Sequence, residues 1–400
     1  MQISINAQFD SGNIEVIDVS NSANIRLRIR KDAHSDFLQW FHFSAAGLQG
    51  KSTTFIIENA GSTTYPKGWE GYQVVFSTDR QVWLRTTTQY QNGELQWSID
   101  ADCDLVWFAY FAPYSMEQHT DLISAAASAP GVRHEVLGQT HQGRSIDYLT
   151  ILPQPDARSA ANDGWQPDSL TRPQLWIIAR QHPGESMASW FVEGWLDRLL
   201  DADDATSCAL RQVADIHVVP CMNPDGAFLG HLRTNALGVN LNREWASPSM
   251  QRSPEVYQVL KRMRSTGVTL ALDVHGDEAL PYNFIAGTEG IEGWTPSRDE
   301  ELVDLKHTWS SINPDFQDKH GYPINSSGNA NLTICSNQLA AQFSCLALTL
   351  EMPFKDTANS PRPLTGWSPE RSVHLGASFV DIAYLALTKR LLKRSFKETS

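Results

Sequence analysis

The sequence predicts an α/β protein in two parts, an antiparallel β-sandwich over residues 1–115 and an α/β domain over 116–400. Three observations carry this expectation. Up to about Tyr114 the chain is a series of short runs alternating apolar and polar residues, the period-2 pattern of half-buried strands. After Pro113 the apolar runs become continuous and alternate with segments of helical period, as strands buried on both faces do between helices. The composition is that of a globular chain, 41% hydrophobic and 19% charged with 25 glycines and 20 prolines in 400 residues, long enough for more than one core.

In the first part, strands are expected in NIRLRIR, FLQWFHFS, TTFIIENA, YQVVFS, QVWLRTTTQY and LQWSID. Turn residues close most of them, as at Gln91-Asn92-Gly93 and Ser77-Thr78-Asp79. Residues 45–52, AAGLQGKS, match a relaxed phosphate-loop pattern with Ala in the first glycine's place. A phosphate cradle needs a helix N-terminus behind it, and TTFIIEN reads as a strand, so a hairpin turn is expected there instead. In the second part, Glu117 to Ser128 reads as a helix, and EVLGQT with RSIDYLTIL as a hairpin. The Pro- and Ser-containing stretch Pro153–Arg172 reads as an exposed excursion. PQLWIIAR is a buried strand, followed by a helix on which Met187, Phe191, Trp195 and Leu199 recur at helical spacing. IHVVPCMNP, VTLALDVHG and CLALTLEMP repeat the buried-strand pattern, with the helix SPEVYQVLKRMR among them. In such domains ligands sit in the loops that follow the strands.

Charge and cysteine usage narrow the function. A net charge of −13 excludes a basic nucleic-acid-binding face as the organising feature. No charged leader precedes an apolar run at the N-terminus, and no run approaches a membrane span, so no membrane and a cytoplasmic location are expected. Five cysteines (103, 208, 221, 335 and 345) form no CxxC pair, which fits a reducing compartment rather than a disulfide scaffold.

Two His-x-x-Glu sites stand out, His182-Pro183-Gly184-Glu185 and His275-Gly276-Asp277-Glu278. With 12 histidines and 45 acidic residues, the spacing alone is common and position carries the signal. His182 is expected to end the strand LWIIAR, with Glu185 in the first turn of the next helix, where residues i and i+3 meet. His275 is expected to end the strand VTLALDV. Two strand-end histidines and one carboxylate are the His₂Glu set of a catalytic zinc, with a fourth position for water. Glu278 is the rival to Glu185, as ligand or as an outer carboxylate; Asp273 either orients a ligand histidine or is structural.

The residues around these sites resemble a known family, the zinc metallocarboxypeptidases of the carboxypeptidase A type, and most closely their cytosolic carboxypeptidase branch. GQTHQGRSIDYLTI (138–151) resembles the family's hairpin, and HPGE (182–185) that branch's zinc-binding motif. MNPDG (222–226) resembles the NPDG turn, and LRTNALGVNLNREW (232–245) the segment that carries the substrate-binding Asn-Arg pair. DVHGDE carries the second histidine, and LTLEMP resembles the strand that bears the catalytic glutamate. These matches run in order from about Pro113 to Phe354, and the branch carries a β-sandwich ahead of its catalytic domain.

The resemblance implies a carboxypeptidase-like α/β/α domain with a mixed central sheet, holding one Zn²⁺ per chain on His182, Glu185 and His275. It implies Glu351 as general base and acid, Arg233 as polariser of the scissile carbonyl, and Asn242 with Arg243 as the holders of the substrate's terminal carboxylate. It also implies a mobile tyrosine, for which Tyr322 in HGYPINSSGNAN is the candidate. The chemistry agrees with these roles. A water must lose a proton to a nearby carboxylate, charge developing on the carbonyl oxygen needs a fixed donor, and a planar guanidinium suits a free carboxylate. The implied substrate is the C-terminus of a peptide or protein. Branch members that prefer glutamate place an arginine in a G-T-A-R-type segment, where this chain reads Gly328-Asn329-Ala330-Asn331. Lys319 and Lys355 are the cations that could replace it. The alternatives are a zinc deacylase of small N-acyl amino acids and a non-catalytic binding protein.

Overall fold

A computed structural model of the chain describes residues 2–153 and 172–398; the stretch expected as an excursion lies, apart from its two end residues, outside them. The N-terminal part contains β1 (Ser4–Asn6), β2 (Glu15–Asp18), β3 (Ile25–Arg28), β4 (His42–Ala46), β5 (Ser52–Ile57), β6 (Val75–Ser77), β7 (Leu84–Arg85), β8 (Thr88–Gln91), β9 (Glu94–Asp100) and β10 (Leu105–Ala109). They form two five-stranded sheets, ordered β1-β4-β10-β6-β7 and β2-β3-β5-β9-β8. The sheets face each other through the inward residues of their alternating strands. Phe55 and Trp97 of one meet Phe43 and Phe108 of the other at ring-centroid distances of 4.8–6.3 Å.

Pairing is antiparallel throughout except between β3 and β5, which run parallel. The segment 45–52 does not close a hairpin. It carries the chain from β4 in one sheet to β5 in the other, and Lys51 Nζ donates to Gly47 O at 2.6 Å. Alternation shows which face of a strand is buried but not which neighbour it pairs with.

The second part contains α1 (Met116–Ala127), β11 (Val132–Gln139), β12 (Ser145–Ile151), β13 (Gln174–Ala179), α2 (Met187–Leu199), α3 (Ala205–Val213), β14 (Asp215–Val219), α4 (Pro224–Leu229), α5 (Pro254–Thr266), β15 (Leu270–Asp277), β16 (Phe284–Ala286), α6 (Pro296–Ile312), α7 (Cys335–Phe343), β17 (Leu346–Pro353) and α8 (Pro369–Glu398). Its seven-stranded sheet is ordered β11-β12-β14-β13-β15-β17-β16, parallel over β14-β13-β15-β17 and antiparallel at both flanks. The mixed sheet is the expected one. Leu175 and Ile177 of β13 join a core that includes α2 and α8, while Trp176 and Ile178 join a second core with α5 and α7. Alternate side chains thus feed two helical layers, which is why the strand reads as continuously apolar. Among the described residues, no helix is long and apolar enough to cross a membrane.

Helix α2 is fixed against α8 by a pair of glycines. A Cβ on Gly194 would lie 2.0 Å from Val373 O, and one on Gly376 would lie 1.9 Å from Phe191 O. Gly376→Ala should therefore force the helices apart and destabilise the protein by about 1–3 kcal/mol or more. An unchanged urea unfolding midpoint would show that the contact can relax freely.

Candidate active site

The sheet gathers the site at one end. β13 lies between β14 and β15, so the chain leaves it at a point where connections run to both sides and a crevice opens. His275 in β15 is the register partner of Glu351 in β17, which puts their side chains on the same face.

His182 reaches the same place through a turn. β13 ends at Ala179, and Arg180 takes a left-handed φ of 62°. Its buried guanidinium donates to Pro183 O (2.6 Å), Ser189 Oγ (2.9 Å) and Tyr114 O (3.3 Å), anchoring the bend. His182 to Glu185 then forms a tight turn, closed by Glu185 N donating to His182 O at 3.1 Å. This corrects two expectations. His182 lies three residues beyond the end of its strand, and Glu185 precedes α2, which begins at Met187. Pro183 disfavours helix at His182, and a Pro-Gly pair favours a turn, so the turn rather than a helix brings i and i+3 together. Gly184 allows the turn to press on its neighbour: a Cβ there would lie 2.9 Å from Leu232 O, which instead accepts Gly184 N–H at 2.9 Å.

One ligand atom from each of His182, Glu185 and His275 lies within 4.8 Å of the other two, and all three residues are buried. Glu185 Oε1 is 2.7 Å from His182 Nδ1, Glu185 Oε2 is 2.8 Å from His275 Nδ1, and the two Nδ1 atoms are 3.1 Å apart. The outer ring nitrogens face acceptors: His275 Nε2 is 2.9 Å from Asp273 Oδ2, and His182 Nε2 is 3.1 Å from Asn240 Oδ1. Those partners assign the ring protons to Nε2 and leave both Nδ1 lone pairs pointing at a carboxylate. Three acceptors converging in a buried place fit a cation, and the donor set suits zinc. Burial is the main force lowering His182 to about 4, with Arg233 adding to it, so its ring is neutral as a ligand must be. Burial opposes charge on His275 too, but Asp273 and Glu185 outweigh it and raise its pKa well above the usual value, so a metal bound there would take the place of a proton on this ring.

Outside these three, Gln181 Nε2 donates to Asp273 Oδ2 at 2.7 Å, and Trp245 Nε1 donates to Gln181 Oε1 at 2.8 Å. Asp273 thus fixes the orientation of the His275 ring from its outer nitrogen. Glu278 does not join the group; it is buried with Oε1 unpartnered, and burial pushes its carboxyl up to about 8.

A cleft of about 500 Å³ opens over the three residues, and every site residue expected from the sequence lines it: Arg233, Asn242, Arg243, Tyr322 and Glu351 join His182, Glu185 and His275. Glu351 is 8% exposed, with Oε2 buried and unpartnered. Burial raises its carboxyl well above the usual range, against the opposing pull of His275. Arg233 Nη1 lies 3.8 Å from Glu185 Oε1, and its guanidinium sits 5.4 Å from the ring of Tyr65 and 5.8 Å from that of Phe37. Among the described residues Arg243 is held by one bond, Nη1 to Asn242 O at 2.6 Å, and no carboxylate lies at ion-pair distance from it. Asn242 Oδ1 accepts Cys335 N at 2.8 Å, and its Nδ2 is 3.3 Å from His275 Nε2. Tyr322 packs edge-on against Phe284 and donates from Oη to Asp277 Oδ2 at 2.5 Å.

The specificity candidates separate. Asn331 is exposed and turns back on its own loop, its Oδ1 accepting Thr333 N and Oγ1. Lys355 Nζ donates to Glu70 O at 2.6 Å, whereas Lys319 lines the cleft with Lys306 and Glu289. Sequence reasoning missed Asn240, Gln181, Tyr65 and Phe37. The first two lie within or beside quoted motifs, but the last two come from loops of the N-terminal part and no spacing points to them.

The model of the zinc carboxypeptidase family matches residues 119–358, and that of the cytosolic carboxypeptidase N-terminal domain matches residues 5–111. The chain belongs to the zinc carboxypeptidase family. An uncharacterized protein of Zymomonas mobilis is 46% identical to this metallocarboxypeptidase over 376 residues, 94% of each chain. A metallo-carboxypeptidase from Pseudomonas aeruginosa, solved in complex with (2-guanidinoethylmercapto)succinic acid, is 42% identical with a TM-score of 0.90, covering 96% of this chain and 100% of that one. Cytosolic carboxypeptidase 6 of Caenorhabditis elegans is 26% identical over 375 residues, 87% of this carboxypeptidase and 78% of the worm protein.

Proposed function

We propose that this carboxypeptidase uses one zinc per chain, held by His182, Glu185 and His275, to release the C-terminal residue of peptides or proteins. The carrying observation is the convergence of three buried acceptors beside Glu351 in a cleft lined by Arg233 and Arg243. Zinc bound there would supply Lewis acidity and bring the pKa of a water toward neutrality. Arg243, with no carboxylate of the protein against it, receives the substrate's terminal carboxylate in its planar fork, and Asn242 supports it. Glu351 takes the proton of the attacking water on its carboxylate and delivers it to the leaving amine nitrogen. Arg233 stabilises the negative charge that develops on the scissile carbonyl oxygen. Tyr322, which lines the cleft with its hydroxyl on Asp277, sits on a loop from which it swings toward substrate when that bond opens. All five cysteines are free, which supports a cytoplasmic location.

The test is a comparison of free-acid and C-terminally amidated forms of one peptide. A site built around a carboxylate rejects the analogue without it, so kcat/KM should favour the free acid by roughly 10²-fold or more. Arg243→Ala should remove most of that preference. Equal cleavage of both forms would overturn the carboxylate-recognition role of Arg243.

A further inference from the structure

The loop that carries Arg233 has no ladder of its own, yet three consecutive N–H groups in it point at one side chain from a loop of the N-terminal part. Asp32, 2% exposed in the loop between β3 and β4, accepts Leu232 N on Oδ1 at 2.6 Å. Its Oδ2 accepts Arg233 N (2.8 Å), Thr234 N (2.9 Å) and Thr234 Oγ1 (3.0 Å). The neighbouring residues lock the same loop. Ala33 N donates to His231 Nε2 at 3.0 Å, and His231 Nδ1 lies 3.0 Å from Thr234 O. Gly238 takes a φ of 76° where a Cβ would lie 2.2 Å from His34 O. Above this backbone, Phe37 and Tyr65 flank the Arg233 guanidinium.

A concave run of N–H groups binds an anion, and here the anion is built into the chain some two hundred residues away. Charge-assisted bonds of this kind are short and directional, so they fix where a backbone lies rather than merely burying it. Local burial would be satisfied by water or any acceptor; four bonds from one carboxylate define a single position for the Arg233 Cα.

We propose that Asp32 is a positioning residue for the hydrolytic reaction. It sets the backbone of residues 232–234 and thereby holds the Arg233 guanidinium where carbonyl charge develops. The inference rests on the role given to Arg233 above. It makes the N-terminal part of the chain contribute to the catalytic apparatus through a loop residue that touches neither substrate nor metal ligand. Stabilisation confined to the transition state appears in kcat rather than in KM, so displacement of Arg233 should do the same.

A double-mutant cycle on the full-length zinc-loaded enzyme tests this, using wild type, Asp32→Asn, Arg233→Ala and the double variant, with zinc content measured for each. Asn is isosteric but turns an NH₂ group toward N–H donors. Arg233→Ala should lower kcat by about 10²-fold, and Asp32→Asn by about 10-fold with KM little changed and zinc retained. In the Arg233→Ala background, Asp32→Asn should cost less than about 2-fold, because no guanidinium remains to be placed. An equal Asp32→Asn penalty in both backgrounds, with Arg233→Ala impaired, overturns the inference while leaving the Arg233 role intact. Full turnover by Arg233→Ala overturns both. If Asp32→Asn does not fold, Thr234→Val replaces it, since it removes one of the four bonds; the same non-additivity with Arg233→Ala is expected, and additivity would overturn the inference.

Discussion

Glu351→Gln should lower kcat by about 10²–10⁴-fold while leaving zinc content and folding unchanged. The amide keeps the shape of the carboxylate but cannot accept a proton from water or return it to the leaving amine. Nothing else in the cleft is placed to replace it. Asp277 is engaged by Tyr322 Oη and by the N–H groups of Ala279 and Leu280, and Glu278 lies beyond the end of β15, off the strand that pairs with His275. Glu351 alone has a free buried oxygen on the strand paired with His275. KM should change little, because the carboxyl acts on the reacting water and substrate is held by Arg243. Turnover within 2-fold of wild type would remove Glu351 from the reaction.

His275→Ala should take bound zinc from about one per chain to none, and activity with it, as read by elemental analysis of protein purified from zinc-supplemented culture. The expected loss exceeds that of an exposed ligand. His275 is the one histidine of the cluster with a carboxyl partner on its outer nitrogen, Asp273 at 2.9 Å, and it is 1% exposed. Without the ring, Asp273 keeps Gln181 as its donor but loses a partner, and Glu185 keeps His182 and the more distant Arg233. A carboxylate pair buried with one imidazole is a poor site for a borderline-soft cation. Zinc retained at full stoichiometry by the variant would contradict the assignment of His275 as a ligand.

Much of this site is legible in the sequence, for a specific reason. Parallel strands buried on both faces read as apolar runs, and residues at their C-terminal ends converge where the strand order reverses. His275 and Glu351 fall at such positions in two runs of that kind, and the sheet pairs them directly. The geometry at Glu185 was less legible. HPGE gives the spacing but not whether a turn or a helix supplies it, and the position of the α2 start decides that. In the N-terminal part, alternation located β3, β5, β6 and β9 and part of β4, but not β1, β2 or β10, the parallel pairing of β3 with β5 or the change of sheet across residues 45–52. Asp32, Phe37 and Tyr65 were illegible altogether. Their contacts with Arg233 and its loop span more than 150 residues, and no local pattern records a contact of that range.

The zinc-dependent release of C-terminal residues is tested most directly by following the mass of one peptide with metal-stripped enzyme, before and after adding one equivalent of zinc. The peptide should stay intact with the stripped enzyme. After zinc is added it should shorten from its C-terminus alone, one residue at a time. Cleavage that persists without metal, or fragments cut at interior bonds, would contradict the assignment.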